Sequence, residues 1–150
     1  MLVGIDPGRE KFGWAFVKKD GSLLLSGVTP LPEFNEWLDA IGSGETSGFE
    51  NWVFEGKYDE LFLPPVEKIL LGEGTGMKKV ADILRSENLP FDAVSETYST
   101  LRARKLYWAL HPPRGLGRLV PLSFRVPPRP IDDLAAWRLV LDFLGLFGED

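Results

Sequence analysis

Three of the predicted β-strands end on an acidic residue, and these residues are the first candidates for chemistry. The opening strand ends at Asp6 before a Pro-Gly turn, a later strand ends at Glu55, and a third ends at Glu96. If the first two strands are adjacent and parallel, a strand spacing near 4.8 Å brings Asp6 and Glu55 within reach of one cation. The alternatives are an Asp-Pro-Gly turn without chemistry and a surface glutamate at a strand end.

The elements that must position these acids alternate between strand and helix. Val3 and Ile5 give the opening stretch strand character, and Asp20-Gly21 is a strong hairpin signal between two further short strands. Apolar residues at helical spacing predict the helices, including a short one from the apolar run at 66–71. The predicted strands cover 2–6, 12–17, 23–25, 51–56 and 91–96, and the predicted helices cover 31–41, 66–71, 77–86, 97–110 and 131–144.

Charge is distributed unevenly along the chain. The net charge is −5, yet no Asp or Glu occurs between Thr97 and Ile131. This stretch includes a Pro- and Arg-rich segment, 111–130, that we interpret as a long surface loop. Such asymmetry predicts one face that binds polyanions on an otherwise acidic body, and the alternative is a solvated Arg-rich loop. The stretch contains seven basic residues: Arg102, Arg104, Lys105, Arg114, Arg118, Arg125 and Arg129.

Composition excludes several classes of site. The 150 residues are expected to form one domain with a genuine core, and they include no cysteine and a single histidine, His111. A thiolate metal site is therefore excluded, and a His-rich zinc site or a Ser-His-Asp triad is not expected. No apolar run approaches the ~18 residues of a membrane helix, so we expect a soluble cytoplasmic protein that binds no membrane.

Five short motifs, taken in order, resemble those of two related nuclease families. The chain is similar to the RuvC-type Holliday-junction resolvases and to the YqgF-type pre-16S ribosomal RNA nucleases, both of the RNase H-like superfamily. Each motif alone is weak, but their order and spacing are fairly specific. The motifs are Gly4–Gly8, Val53–Glu55, Leu71–Gly76, Ser95–Thr100 and Asp132–Ala136.

The resemblance implies a fold and a set of catalytic residues. It implies one RNase H-like nuclease domain over 1–150, in which a three-stranded antiparallel meander and two parallel strands form a mixed five-stranded sheet flanked by helices. Asp6, Glu55 and Asp132 match acidic metal-ligand positions, and Glu96 matches a glutamate of the YqgF group. Asp132 is preferred to Asp133 because it stands two residues before the leucine of its motif.

The implied activity is metal-dependent hydrolysis of nucleic-acid phosphodiester bonds. Carboxylates without histidine suit Mg²⁺ or Mn²⁺, and two such ions about 4 Å apart could activate a water and stabilise the leaving oxygen. A RuvC-like resolvase is the first expectation, with branched DNA as substrate and a homodimer as one possible assembly. A YqgF-like nuclease acting on structured RNA is the alternative. In either case, phosphate contacts are expected from Arg102, Lys105, Arg114, Arg118, Arg125 and Arg129.

Two departures from the family patterns keep other hypotheses open. The resolvases carry an acid three residues before the final aspartate, where this chain has Arg129, and the YqgF group usually has no glutamate at the position of Glu55. A catalytically silent RNase H-like module that binds nucleic acid or protein therefore stays open. A fragment of an actin-like ATPase or sugar kinase is disfavoured, because Asp6-Pro7-Gly8 is the only Asp-x-Gly motif of the kind that those proteins need twice.

Overall fold

Alternating apolar residues in the first strands build the centre of a six-stranded mixed sheet. The computed structural model describes residues 1–95, 99–121 and 126–146. The strand order across the sheet is β4-β3-β2-β1-β5-β6, in which the first four neighbours are antiparallel and β5 and β6 run parallel to β1. The strands are β1 (Leu2–Pro7), β2 (Lys11–Val17), β3 (Leu23–Pro30), β4 (Val53–Glu55), β5 (Lys68–Gly72) and β6 (Asp92–Val94).

Four α-helices cover the two faces of this sheet. Val3, Ile5 and Phe16 point to the face that carries α1 and α2, where Phe34 and Trp37 complete an aromatic core. Short 3₁₀ turns lie at Leu31–Glu33, Thr46–Phe49 and Gly115–Leu119. The α-helices are α1 (Phe34–Ser43), α2 (Met77–Ser86), α3 (Ser99–Leu110) and α4 (Asp132–Leu144).

The opposite face of the sheet carries α4, with α3 packed on the outside of α4. Leu2, Ala15 and Leu70 meet Ala136 and Val140 of this helix. Small residues on the strands allow the close approach, since a side-chain carbon at Gly4 would collide with the backbone of Ala136. The α4 face is the face to which Asp6 belongs, because side chains alternate along a strand and Asp6 shares the parity of Leu2.

The expected mixed α/β sheet with flanking helices is confirmed, but the strand count of five is wrong. The sixth strand is β5, which covers most of the run that we predicted to form a short helix at 66–71. An apolar run of this length reads equally as a buried strand, and here it lies between β1 and β6 with Leu70 and Leu71 fully buried. The remaining predicted strands are all present, and helix α2 has the predicted bounds, Met77–Ser86.

No helix in the described ranges is long and apolar enough to cross a membrane.

Candidate functional site

Asp6 lies at the carboxyl end of the central strand β1, next to the start of helix α4. Its backbone partner in β2 is Gly13. A side-chain carbon at Gly13 would overlap the carbonyl of Asp132, so the first turn of α4 rests directly on this glycine. The packing therefore brings the backbone of Asp132 against the strand residue that pairs with Asp6. We call this region the acidic edge and define it by Asp6, Asp132 and the turn Pro7–Lys11.

The turn of the acidic edge is fixed from both sides by backbone contacts. The amide of Gly8 donates to the carbonyl of Lys11 at 2.9 Å, and the amide of Gly76 donates to the carbonyl of Pro7 at 3.2 Å. A side-chain carbon at Gly76 would collide with the carbonyl of Gly8, so α2 also begins against this turn. Two helix N-termini, with their partial positive charge, consequently border this turn and the residue that pairs with Asp6.

An open groove of about 440 Å³ lies in front of these elements. Lys11 holds one oxygen of Asp132, with 3.5 Å between Nζ and Oδ2, and the Asp132 side chain stays 39% exposed. A half-exposed carboxylate can bind a cation without a large desolvation cost, and the lysine beside it can contact a phosphate. The groove is lined by Gly8, Arg9, Glu10, Lys11, Thr75 and Asp132.

Glu55 lies elsewhere, and the expectation that its strand neighbours β1 is wrong. Strand β4 pairs antiparallel with β3 and is three strands from β1 in the sheet. At about 4.8 Å per strand, the Glu55 and Asp6 backbones are roughly 14 Å apart or more, which is too far for one shared ion. Strand β5 takes the parallel place beside β1, and it is followed by the exposed Glu73.

Glu55 instead belongs to a group of charged residues that bridges β4 and α4. Its Oε2 atom accepts hydrogen bonds from Arg129 Nη2 at 2.6 Å and contacts His111 Nε2 at 2.7 Å. Arg129 also donates through Nη1 to Asp133 Oδ1 at 2.8 Å, and Ser26 donates to Asp133 Oδ2 at 2.7 Å. We call these five residues, Glu55, Arg129, Asp133, Ser26 and His111, the arginine cluster.

Burial determines the electrostatics of the arginine cluster. Asp133 is fully buried, and burial raises the pKa of its carboxyl group, although the hydrogen bonds from Arg129 and Ser26 oppose that rise. Burial would by itself lower the pKa of Arg129, but its hydrogen bonds to Asp133 and Glu55 outweigh burial and raise it. The guanidinium is thus a permanent internal counter-charge for two carboxylates. This pairing engages Glu55 with Arg129 and accompanies the burial of Asp133, which, unlike Asp132, does not face solvent.

The predicted phosphate-binding residues divide into three groups. Arg129 is engaged in the arginine cluster, and Arg102 Nη1 lies 3.5 Å from Asp142 in an ion pair between α3 and α4. Lys105 is half-buried in α3, while Arg114 is exposed. Arg125 and the side chain of Arg118 lie outside the described residues. The exposed Arg114 therefore stays a predicted phosphate contact, whereas Arg129 is engaged by two carboxylates.

The remaining predicted catalytic residue, Glu96, also lies outside the described residues. Strand β6 ends at Val94, two residues before it. Within residues 1–95, 99–121 and 126–146, no three Asp, Glu or His side chains form a group that could hold a metal ion.

Sequence reasoning missed Lys11, Gly13 and Glu73 at or next to the acidic edge. Lys11 and Gly13 lie in β2, where a lysine and a glycine have no local signal that a helix 120 residues away will pack on them. Glu73 was missed because β5 was predicted as a helix. The run Ile69–Leu71, bounded by Pro65 and Gly72, was the available signal for a buried strand that ends before an acid.

Comparison with known proteins adds no relative to these observations. A scan against protein-family models finds no match to the chain, and a search of the curated proteins finds none either.

Proposed function

We propose that this protein is a metal-dependent nuclease of the RNase H-like type, with its catalytic centre at the acidic edge. The observation that carries the proposal is the contact of α4 with Gly13, which brings Asp132 to the strand end that presents Asp6. The antiparallel meander β1–β3 followed by parallel β5 and β6 supports the same fold type. The resemblance of the sequence motifs also supports the proposal.

The donor set at the acidic edge fits Mg²⁺ or Mn²⁺. Its acids offer oxygen ligands only, and they stand where two helix N-termini also favour the binding of a phosphate. Asp6 and Asp132 would hold the ion, and Glu96, which follows β6, would complete the set. Bound there, the ion would supply Lewis-acid activation of water and charge stabilisation of the leaving oxygen. Lys11 would orient Asp132, and the turn Pro7–Lys11 would give the substrate phosphate a fixed backbone surface.

The position of Glu55 favours a YqgF-like nuclease over a RuvC-like resolvase. The resolvase expectation depended on a glutamate next to Asp6, whereas Glu55 lies on β4, three strands away from β1, and is bound to Arg129. The stretch Ser95–Thr100, which resembles the YqgF pattern, continues from β6, two strands from β1 on its parallel side. Structured or single-stranded RNA therefore becomes the first substrate to test, and a four-way DNA junction the second.

A catalytically silent binding module is the second candidate, and one observation favours it. Arg129 stands three residues before Asp132, where the resolvases carry another acid, and it neutralises carboxylates rather than adding one. A domain that has lost part of its metal site could retain nucleic-acid binding on the same surface.

The deciding experiment is a cleavage panel with Mg²⁺ and with Mn²⁺. The substrates are single-stranded RNA, single-stranded DNA, duplex DNA and a four-way DNA junction, with wild type beside Asp6→Asn. Asp82→Asn, an exposed acid on α2, serves as the control for the loss of one surface charge. We expect RNA cleavage that Asp6→Asn abolishes and Asp82→Asn retains. Binding without cleavage of any substrate would instead support the silent module.

Metal binding is tested separately by thermal unfolding. At a tenfold excess over its dissociation constant, a ligand of the folded state adds about 1.4 kcal/mol of stability. For a chain of this size that corresponds to a rise in Tm of roughly 3–6 °C, which Asp6→Asn should remove. A wild-type Tm that does not respond to Mg²⁺ or Mn²⁺ would contradict the metal site.

A further inference from the structure

A second groove begins on the other side of the turn that borders the acidic edge. It encloses about 500 Å³ between helices α1 and α2. Arg9 and Glu10 line this groove and the groove of the acidic edge alike, so the two depressions share a wall. We call it the α1–α2 groove. The residues that matter to the argument are Arg9, Leu31, Pro32, Asn35, Lys79 and Ile83.

The floor of the α1–α2 groove is apolar and rigidly supported. Leu31 and Ile83 are half-buried, and the fully buried Phe34 beneath them packs edge-on against Phe12 with 4.9 Å between ring centroids. The amide of Leu31 donates to the carbonyl of Glu10 at 2.8 Å, which ties the floor to the shared wall. The groove is therefore a preformed feature of the core and not a gap between loose loops.

The rim of the α1–α2 groove is polar and carries a net positive charge. Arg9, Asn35 and Lys79 are exposed, and Glu10 is the one acid among the lining residues. An exposed amide such as that of Asn35 can both donate and accept hydrogen bonds. Two cations on the rim can contact phosphates, and an apolar floor with one amide at its edge suits a flat ring with polar edges.

We propose that the α1–α2 groove binds an unpaired nucleobase of a single-stranded nucleic acid whose backbone continues past Arg9 to the acidic edge. The inference builds on the proposed nuclease function and specifies its substrate as a strand that is unpaired next to the cleaved bond. A base within a duplex has its faces stacked and its edge paired, and it must be extruded at a cost of a few kcal/mol before it can enter such a groove. An unpaired strand presents that base without this cost.

The test is binding in EDTA, so that it does not depend on metal or on cleavage. A fluorescent 12-residue single strand, as RNA and as DNA, is titrated by anisotropy against the same sequence in a duplex. Lys79→Ala is compared with Lys78→Ala, because both lysines are exposed neighbours in α2 and Lys79 alone of the two lines the groove. We expect single strands to bind more tightly than duplex, and Lys79→Ala to lower the salt slope of log K by about 0.7, the value for one phosphate contact. Lys78→Ala should leave the slope unchanged.

A second variant tests the base itself. Asn35→Asp keeps the shape of the side chain and adds an acid to the first turn of α1, where acids are tolerated, so folding is preserved. A strand that carries 2-aminopurine should change its fluorescence on binding to wild type, and this change should be lost in Asn35→Asp. Equal effects of Lys78→Ala and Lys79→Ala, or a duplex bound as tightly as a single strand, would overturn the inference. If either result occurs while Asp6→Asn still abolishes cleavage, the nuclease proposal holds and the groove proposal fails. If the groove binds single strands but no substrate is cleaved, the groove proposal holds and the nuclease proposal fails.

Discussion

The acidic edge and the arginine cluster both contain acids on the α4 face of one sheet, but they differ in the burial and pairing of those acids. In the arginine cluster, Glu55 and Asp133 share a guanidinium that has an exposed fraction of 16%. At the acidic edge, Asp132 Oδ2 lies 3.5 Å from Lys11 Nζ, and the side chain is exposed in an open groove. Two adjacent residues of α4, Asp132 and Asp133, thus belong to different sites. The comparison shows that neighbouring carboxylates of one helix can differ completely in exposure, because Asp133 is buried with a guanidinium and Asp132 is half-exposed beside a lysine.

The sharpest test of this contrast compares one acid from each region in the nuclease assay. Asp132→Asn should reduce cleavage by about a thousandfold, since metal-ion catalysis contributes several kcal/mol and each 1.4 kcal/mol is tenfold in rate. Glu55→Gln keeps a hydrogen-bond acceptor for Arg129 and should retain most of the activity. The measurement is kcat/KM on the best substrate of the panel. Comparable losses in the two variants would mean that Glu55 acts in catalysis after all.

The reverse contrast is expected for stability. Asp133→Ala removes one of the two carboxylates bonded to the part-buried Arg129 and should cost about 3–5 kcal/mol in the free energy of unfolding. Asp132→Ala removes a half-exposed ion pair and should cost about 1 kcal/mol or less. Urea unfolding of the two variants measures both values. Because removing one partner of a buried pair exaggerates its worth, the double variant Arg129→Met/Asp133→Leu should recover part of the loss.

A smaller effect is expected from changing the contact between Gly13 and the first turn of α4. Gly13→Ala places a methyl group against the carbonyl of Asp132 and must shift the first turn of α4. Such overpacking typically costs about 1–3 kcal/mol, and it should also lower cleavage because Asp132 moves relative to Asp6. Gly42→Ala, in an exposed position of α1 with no atom near the added carbon, is the matched control. Full activity in Gly13→Ala would show that the spacing of the two acids is not critical.

The smallest expected effect is in the pH dependence of stability. Burial raises the folded-state pKa of Asp133 above its ordinary value of 3.8, so the folded state binds more protons than the unfolded state as the pH rises past that value. The contribution of Asp133 to stability is therefore present below pH 3.8 and is lost as the pH rises through its folded pKa. A hydrogen bond from Lys19 lowers the pKa of the surface residue Glu67, which reverses the sign: its contribution is lost as the pH falls. Urea midpoints measured at several acidic pH values give stability as a function of pH. The slope of that curve should change in opposite directions for Asp133→Asn and Glu67→Gln.

Much of the fold could be predicted from the sequence because the signals were local. Alternating apolar residues, the Asp20-Gly21 turn and the spacing of Val80 and Leu84 depend on neighbouring residues alone, and the corresponding strands and helix α2 are where they were predicted. The run Ile69–Leu71 failed as a local signal, because four or five apolar residues fit a buried strand and a helix equally well.

The site could be predicted only in part, because the residues of a strand do not determine which other strand it pairs with. Val53–Glu55 gave the correct strand, but nothing in those residues says that it pairs with β3 instead of β1. The same holds for Arg129, whose position in an Arg-rich stretch predicted a phosphate contact. In the structure it binds Glu55, which is distant in the sequence, and Asp133, which follows four residues later. That Asp6 and Asp132 act together stays a prediction, which comes from the order of the motifs and not from either residue alone.

The place of β1 in the middle of the sheet has a consequence for how the protein would lose activity. Strand β1 pairs along its length with β2 and along most of its length with β5, whereas β4 is a three-residue edge strand. Backbone amides of central strands exchange with solvent only through global opening, while short edges open locally at little cost. The amide of Ile5 should therefore be among the slowest to exchange and that of Phe54 among the faster. Under the proposed function, Asp6 lies on this protected strand, so we expect activity to persist up to the temperature of global unfolding.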